Sequence, residues 1–231
     1  MAVFSVLVLT AAPPTQASEA GGPYVKIDGR EALLRSVELF LNRENVKQVQ
    51  FVVGADAADE IKRKYGTHLG LMGVKLVTAA GPKWSDQVAA AGGRIAAECT
   101  HVILHDAARP AVPFSDIDAL MECATQSPVA MLVSPLRNQL VELDEGGNPV
   151  AYHVPTRYMQ LLTPQAFSKG KFARFAAGKE PHASEAKLVK GSPLNLRVGS
   201  SGEERIAKAM ISMLPKPKVR APDNPFEEAQ W

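Results

Sequence analysis

The residues best suited to chemistry lie in one short segment, residues 105–110, which reads HDAARP and directly follows an apolar run. An aspartate at the end of a buried strand can hold Mg²⁺ and orient phosphate groups, which makes Asp106 a candidate metal ligand. Arg109 can bind a phosphate through its forked guanidinium. A structural alternative stays open, in which Asp106 caps a helix and pairs locally with Arg109.

A second candidate segment, residues 10–22, follows the first apolar run and is rich in Ala, Pro, Ser and Gly. Loops at the carboxyl edge of a parallel sheet often bind nucleotides. This loop contains no Arg or Lys, and Pro13 and Pro14 remove backbone N–H donors that could cradle phosphates.

Alternating apolar and amphipathic segments predict the elements that position these loops. The first run, residues 3–9, contains β-branched residues and no preceding Lys or Arg, so a buried strand is favoured over a signal peptide. Further strands are predicted at 49–53, 74–78, 100–104 and 129–133. Helices are predicted at 31–41, 57–65, 84–97, 116–123 (capped by Ser115) and 203–214. This alternation predicts an α/β fold with a mostly parallel sheet covered on both faces.

Residues 135–158 break that pattern. Apolar and polar residues alternate around the turn sequence DEGGN, which predicts a protruding β-hairpin, or β-arm. A hairpin with exposed edges can be protected by pairing with another subunit, so we expect a homodimer. Residues 1–214 are predicted to form one domain, followed by a Pro-rich tail at 215–231.

Composition limits the classes of function. The 231 residues have a net charge of +2, which gives no basic surface for nucleic acid or an anionic membrane. No apolar run approaches the ~20 residues of a membrane span. The two cysteines, Cys99 and Cys123, form neither a metal motif nor a disulfide framework, so we expect a cytoplasmic protein.

Five segments in the same order resemble one enzyme family. They are VILHDAARP at 102–110, YVKIDGREALLRSVELF at 24–40, LLTPQAF at 161–167, SEAKLV at 184–189 and KGSPLNLRV at 190–198. They resemble the 2-C-methyl-D-erythritol 4-phosphate cytidylyltransferases over about residues 3–214. This resemblance implies a Rossmann-like, three-layer nucleotidyltransferase fold. It also implies Mg²⁺-dependent use of CTP and a sugar-alcohol phosphate, and a homodimer whose arm completes the partner's site.

The resemblance also assigns residues to roles. Asp106 is implied as the catalytic and metal-binding residue. The implied nucleotide contacts are Ala11, Ala12, Pro13, Asp106 and Ala107. The implied substrate-phosphate contacts are Arg109, Arg157, Thr163 and Arg197, with Thr156 as an equal candidate for the position assigned to Arg157. Structural alternatives stay open for two of them: Thr163 as a turn residue before Pro164, and Arg197 on a solvated edge.

Several positions depart from the family pattern. Gly22 stands where the family has its catalytic lysine, and Trp84 and Gln87 replace an Arg and a Ser that read the cytosine. Because phosphoryl transfer depends on cations around the phosphates, these losses predict weak turnover or none. The alternative hypothesis is a homologue that binds a nucleotide, a phosphometabolite or a partner without turnover.

Overall fold

The computed structural model describes residues 1–14, 22–199 and 201–214. Its strands are β1 (Phe4–Leu9), β2 (Lys26–Ile27), β3 (Arg30–Glu31), β4 (Val46–Gly54), β5 (Lys75–Ala79), β6 (His101–Asp106), β7 (Val129–Pro135), β8 (Leu140–Leu143), β9 (Pro149–His153), β10 (Met159–Ser168) and β11 (Ala186–Lys190). Its α-helices are α1 (Ala32–Glu38), α2 (Ala58–Leu71), α3 (Trp84–Gly92), α4 (Phe114–Gln126), α5 (Lys169–Ala176) and α6 (Glu204–Met213). The predicted tail, 215–231, lies outside the described residues.

Seven strands form one twisted sheet in the order β11-β7-β10-β6-β1-β4-β5. Within it, β10 is antiparallel to both β6 and β7, and the other pairings are parallel. Apolar side chains cover both faces, because β1 is buried along its whole length and packs into two separate core clusters. The predicted α/β fold with a mostly parallel sheet is therefore confirmed.

Two smaller elements also follow from local sequence. β2 and β3 form a tight hairpin whose turn residues, Asp28 and Gly29, both have positive φ, as an Asp-Gly turn favours. β8 and β9 pair as a separate antiparallel hairpin within the predicted arm. The arm residues thus form a hairpin outside the main sheet.

Other local predictions were wrong. Ser115 lies inside α4, which begins after Pro113, because a proline with fixed φ suits the position before the first helical turn. Lys187 and Lys190 lie on β11 at the sheet edge, in a strand that the sequence analysis does not predict. Arg197, whose structural alternative was a solvated edge, lies in a segment at 194–198 that forms no strand.

Candidate functional site

The topology places one cleft at the carboxyl edge of the sheet. β4 and β5 lie on one side of β1 and β6 lies on the other, so the chain reverses its winding direction between β1 and β6. Ligands of open α/β sheets bind at such a switch point. A cleft of about 610 Å³ lies there, and the residues that line it come from positions 10–14, 23–24, 54–57, 82–87 and 197.

Asp106 ends β6 beside this cleft, and its carboxylate is fully buried. Its Oδ1 accepts a hydrogen bond from Ala108 N at 2.9 Å, and its Oδ2 accepts one from Arg197 Nε at 2.8 Å. Burial raises the pKa of Asp106, while the Arg197 guanidinium opposes that rise. Asp106 therefore acts first as the buried partner of Arg197.

Arg109 and Thr163 lie behind Asp106 in the same buried network. Arg109 Nη1 donates to Asn195 O at 2.6 Å, and Asn195 Nδ2 donates to Thr163 O at 2.7 Å. Thr163 Oγ1 accepts from Asp106 N at 3.2 Å, which closes the network. Burial lowers the pKa of Arg109 to about 10, so it stays charged at neutral pH.

The structure therefore does not bring every implied contact to the cleft. The side chains of Arg109 and Thr163 are only 1% and 3% exposed, so neither meets a ligand in this conformation. Ala107 is also fully buried; its N–H donates to Leu9 O, and its carbonyl accepts from Ser36 Oγ. These three residues belong to the buried layer behind the cleft and do not line it.

Arg197 is the member of this network that reaches the cleft. Its Nε is fixed by Asp106, and its side chain lines the cleft wall. A Cβ added to Gly22 would lie 3.1 Å from Arg197 Nη2, so the absence of a side chain at position 22 leaves room for the guanidinium. Within the described chain, Lys83 is the other cation that lines the cleft. Lys26, the cation nearest to the first loop in sequence, does not line it.

Gln87 holds the start of the loop that follows β1. Its Oε1 accepts from Thr10 N at 3.0 Å and from Ala11 N at 3.1 Å, and its Nε2 donates to Thr10 Oγ1 at 3.0 Å. Gln87 is 1% exposed, so its amide is committed to the loop. The sequence marked Gln87 as a departure from the family but gave no signal for this bracing role.

The other implied nucleotide contacts do line the cleft, namely Ala11, Ala12 and Pro13. Because Gln87 uses the N–H of Ala11 and the prolines have none, Ala12 is the one residue of 11–14 whose N–H has no partner in the described chain. The described part of the loop therefore offers few donors to a phosphate.

Arg157 lies away from the cleft of its own chain. It ends a short 3₁₀ turn after β9, with an exposed side chain, and is not among the cleft residues. Glu185 is also outside the cleft. Its carboxylate pairs with the Lys171 ammonium, which lowers the pKa of Glu185. Thus Glu185 has a local structural partner.

His105 is fully buried beside this network, and we expect it to make folding sensitive to acid. Burial, together with the Arg109 guanidinium, lowers the pKa of His105 to about 3. The neutral imidazole donates from Nε2 to Arg109 O at 3.1 Å, and Nδ1 has no partner among the described residues. Because the pKa of His105 is lower in the folded state, the stability contributed by its neutral imidazole is complete above pH 6.5. That contribution decreases as the pH falls below 6.5. Between pH 7 and pH 5 the loss is about 2 kcal/mol.

Urea unfolding at both pH values measures this change, with His105→Phe as the matched variant. Asp106 has a raised pKa and contributes in the opposite sense, so the difference between the two proteins isolates His105. Equal pH slopes for wild type and His105→Phe would show that His105 does not cause the acid sensitivity.

The sheet order and the cleft at the switch point define an α/β protein whose cleft lies where ligands of open sheets bind, and the arginine at its edge suits an anionic ligand. Residues 6–212 match the family model described as 2-C-methyl-D-erythritol 4-phosphate cytidylyltransferase. The chain belongs to this family.

Individual relatives agree with that assignment. A 2-C-methyl-D-erythritol 4-phosphate cytidylyltransferase from Rhodopirellula baltica is 27% identical over 84% of this chain and 88% of its own. One from Vibrio parahaemolyticus is 27% identical over 82% of this chain and 86% of its own. The crystal structure of 4-diphosphocytidyl-2C-methyl-D-erythritol synthase from Anaerococcus prevotii superimposes with a TM-score of 0.71 at 15% identity, covering 91% of this chain and 96% of that chain. At that identity the last comparison supports the fold alone.

Proposed function

We propose that this protein transfers CMP from CTP to 2-C-methyl-D-erythritol 4-phosphate, a step in the formation of isoprenoid precursors. The observation that carries the proposal is a nucleotide-sized cleft at the switch point with a fixed guanidinium at its edge, in a chain that belongs to the cytidylyltransferase family. In this reaction a phosphate oxygen of the acceptor attacks the α-phosphorus of CTP. The bond between the α- and β-phosphates breaks, and pyrophosphate leaves.

Charge stabilisation is the main task for the protein in such a transfer. Arg197 suits this task because Asp106 fixes its Nε while its terminal nitrogens remain at the cleft. Ala11, Ala12 and Pro13 form the wall beside the nucleotide. Arg109 and Thr163 support Asp106 from behind.

The family resemblance implies Mg²⁺, but the described residues do not fit a resident metal site. Both oxygens of Asp106 already accept hydrogen bonds, and Arg109 Nε lies 4.0 Å from its Oδ2, so a cation placed there would meet two guanidinium groups. No group of three or more His, Cys, Asp or Glu side chains that could hold a metal occurs in the described residues. A magnesium ion that enters on the phosphates of CTP belongs to the substrate.

A steady-state assay of pyrophosphate release with CTP and the acceptor tests the proposal. We expect release that requires both substrates. The rate should be below the ordinary range of about 1–10³ s⁻¹, because the described loop offers few phosphate donors. Nucleotide binding without any release would favour the second candidate, a binding protein that has lost turnover.

We also propose that the protein is a homodimer joined through the β-arm. Val141 and Tyr152 are cross-strand partners and so share one face of the hairpin, and Val150 and Val154 are further exposed apolar residues of the arm. Each is 47–69% exposed in the single chain. An apolar face of this kind suits burial against a second copy, where Arg157 would approach the partner's cleft.

Deletion of residues 138–153 is expected to convert the dimer into a monomer by light scattering. Tyr152→Glu should weaken the dimer because it places a charge on the apolar face. Ala151→Glu adds the same charge to the opposite face and should leave the dimer intact. A full-length protein that is monomeric at micromolar concentration would contradict the proposal.

A cytoplasmic location is part of the proposal as well. It is supported by Cys99 and Cys123, which are both free thiols, as a reducing compartment maintains. No helix in the described part of the chain is long and apolar enough to cross a membrane.

A further inference from the structure

The far end of the cleft contains polar side chains that the proposed reaction has not used. Four neighbouring strands, β6, β1, β4 and β5, end along the cleft. The three spacings between them, at ~4.8 Å each, give this edge of the sheet a length of about 14 Å. Arg197 marks the β6 end. Given the proposed function, the phosphates of CTP lie near Arg197 and its base extends toward the ends of β4 and β5.

At the base end, Gln87 is not available for reading a nucleotide. Its carbonyl oxygen accepts two backbone N–H groups, its amide nitrogen donates to Thr10 Oγ1, and it is 1% exposed. The base must therefore be recognised by other groups. Charged side chains in this part of the cleft are Asp56 and Lys83.

The absence of a side chain at Gly54 leaves room for the carboxylate of Asp56. Asp56 Oδ1 and Pro82 Cα both lie within 3.0 Å of the point that a Cβ on Gly54 would occupy. The carboxylate therefore folds back over the end of β4, and Pro82, the residue before Lys83, approaches the same point. Asp56 also lies near Tyr24. Burial is the main cause of the raised pKa of the Tyr24 phenol, and the negative charge of Asp56 is the next cause.

A carboxylate is an unusual lining for a cleft that binds polyphosphate, because it repels phosphate and can only accept hydrogen bonds. It needs a donor from the uncharged part of the ligand. Cytosine offers an amino group at N4, beside acceptors at N3 and O2, whereas uracil presents the O4 acceptor at the same position. A cleft end lined by both a carboxylate and an ammonium group matches the N4 donor and the N3 and O2 acceptors of cytosine, whereas uracil has an acceptor at O4 and a donor at N3.

We propose that Asp56 selects cytosine by accepting the N4 amino group, with Lys83 donating to the N3 and O2 side of the ring. The selection rests on the proposed function, since it assumes that a pyrimidine nucleoside triphosphate occupies the cleft. Tyr24, which is 38% exposed, forms an aromatic wall at this end, and stacking on it holds the ring without distinguishing the two bases.

The kinetic test compares CTP with UTP in the wild type and in Asp56→Asn. The wild type should prefer CTP by at least about 100-fold in kcat/KM, since a site built for a donor rejects an acceptor. An asparagine can turn its amide to donate to uracil O4. Asp56→Asn should therefore lower kcat/KM for CTP, raise it for UTP and reduce the preference below about tenfold.

A rise in UTP turnover cannot result from simple loss of structure, and this separates the proposal from a structural role for Asp56. Asp59→Asn is the matched control, because Asp59 is exposed in the first turn of α2 and does not line the cleft. It should leave the preference unchanged. Lys83→Met should lower the preference for CTP as well, because N3 accepts a hydrogen bond in cytosine but carries a hydrogen in uracil.

The ribose hydroxyl groups are the other donors of a nucleotide that Asp56 could bind. Deoxycytidine triphosphate, which lacks one of them, tests this alternative. If Asp56→Asn changes the ratio of CTP to deoxyCTP and leaves that of CTP to UTP unchanged, the cytosine assignment is overturned. The shift in melting temperature with CTP and with UTP gives a second readout that needs no turnover. Equal melting-temperature shifts with CTP and UTP would overturn the base selection alone. A shift with CTP but not with UTP, together with no CTP turnover, would overturn only the proposed transfer.

Discussion

Replacement of Arg197 by methionine is expected to lower kcat/KM for the CTP reaction by about 10²–10³, the typical cost of removing one preorganised group that stabilises developing charge. Arg197 is the guanidinium that the network presents to the cleft, since Arg109 points into the protein and is only 1% exposed. No described residue of the loop after β1 supplies a cation that could replace it. The measurement is steady-state pyrophosphate release.

Arg197→Lys is the informative control. A lysine keeps the charge but lacks the Nε that Asp106 fixes at 2.8 Å, so it should recover part of the activity and leave its head group less well oriented. Methionine also leaves Asp106 unpaired, so a companion variant, Asp106→Asn with Arg197→Met, removes both charges. If that double variant recovers wild-type activity, Arg197 does not stabilise the reaction.

Sequence patterns predicted the sheet well where strands are buried and apolar. β1, β4, β5, β6 and β7 each combine apolar runs with turn signals, and their parallel order follows from the intervening helices. β10 and β11 were not predicted. β10 contains polar and proline residues and is antiparallel between two parallel strands, so its conformation depends on tertiary pairing.

The candidate site was predicted less completely, for an identifiable physical reason. The sequence marked Asp106, Arg109, Thr163 and Arg197, and the structure does bring them together. It could not show which of them faces solvent, because that depends on Asn195, which links Arg109 to Thr163 across distant parts of the chain. The recognition roles proposed for Asp56 and Lys83 were missed, since neither belongs to a motif and the position of the Asp56 carboxylate depends on the space left at Gly54.

Removal of the buried carboxylate is expected to have the largest effect on folding. Asp106→Ala should destabilise the protein by about 3–5 kcal/mol, because it leaves the guanidinium groups of Arg109 and Arg197 without their shared anion. Both side chains are largely buried, so water compensates little. Urea unfolding followed by circular dichroism measures the loss.

Asp106→Asn separates charge from hydrogen bonding, since asparagine keeps an oxygen that can accept from Ala108 N. If charge balance dominates, Asn should destabilise nearly as much as Ala, and adding Arg109→Met to Asp106→Asn should recover part of the loss by removing one unpaired cation. Wild-type stability of Asp106→Asn would show instead that the hydrogen bond to the backbone holds this turn. The ion pair would then matter for placing Arg197 in the cleft and not for folding.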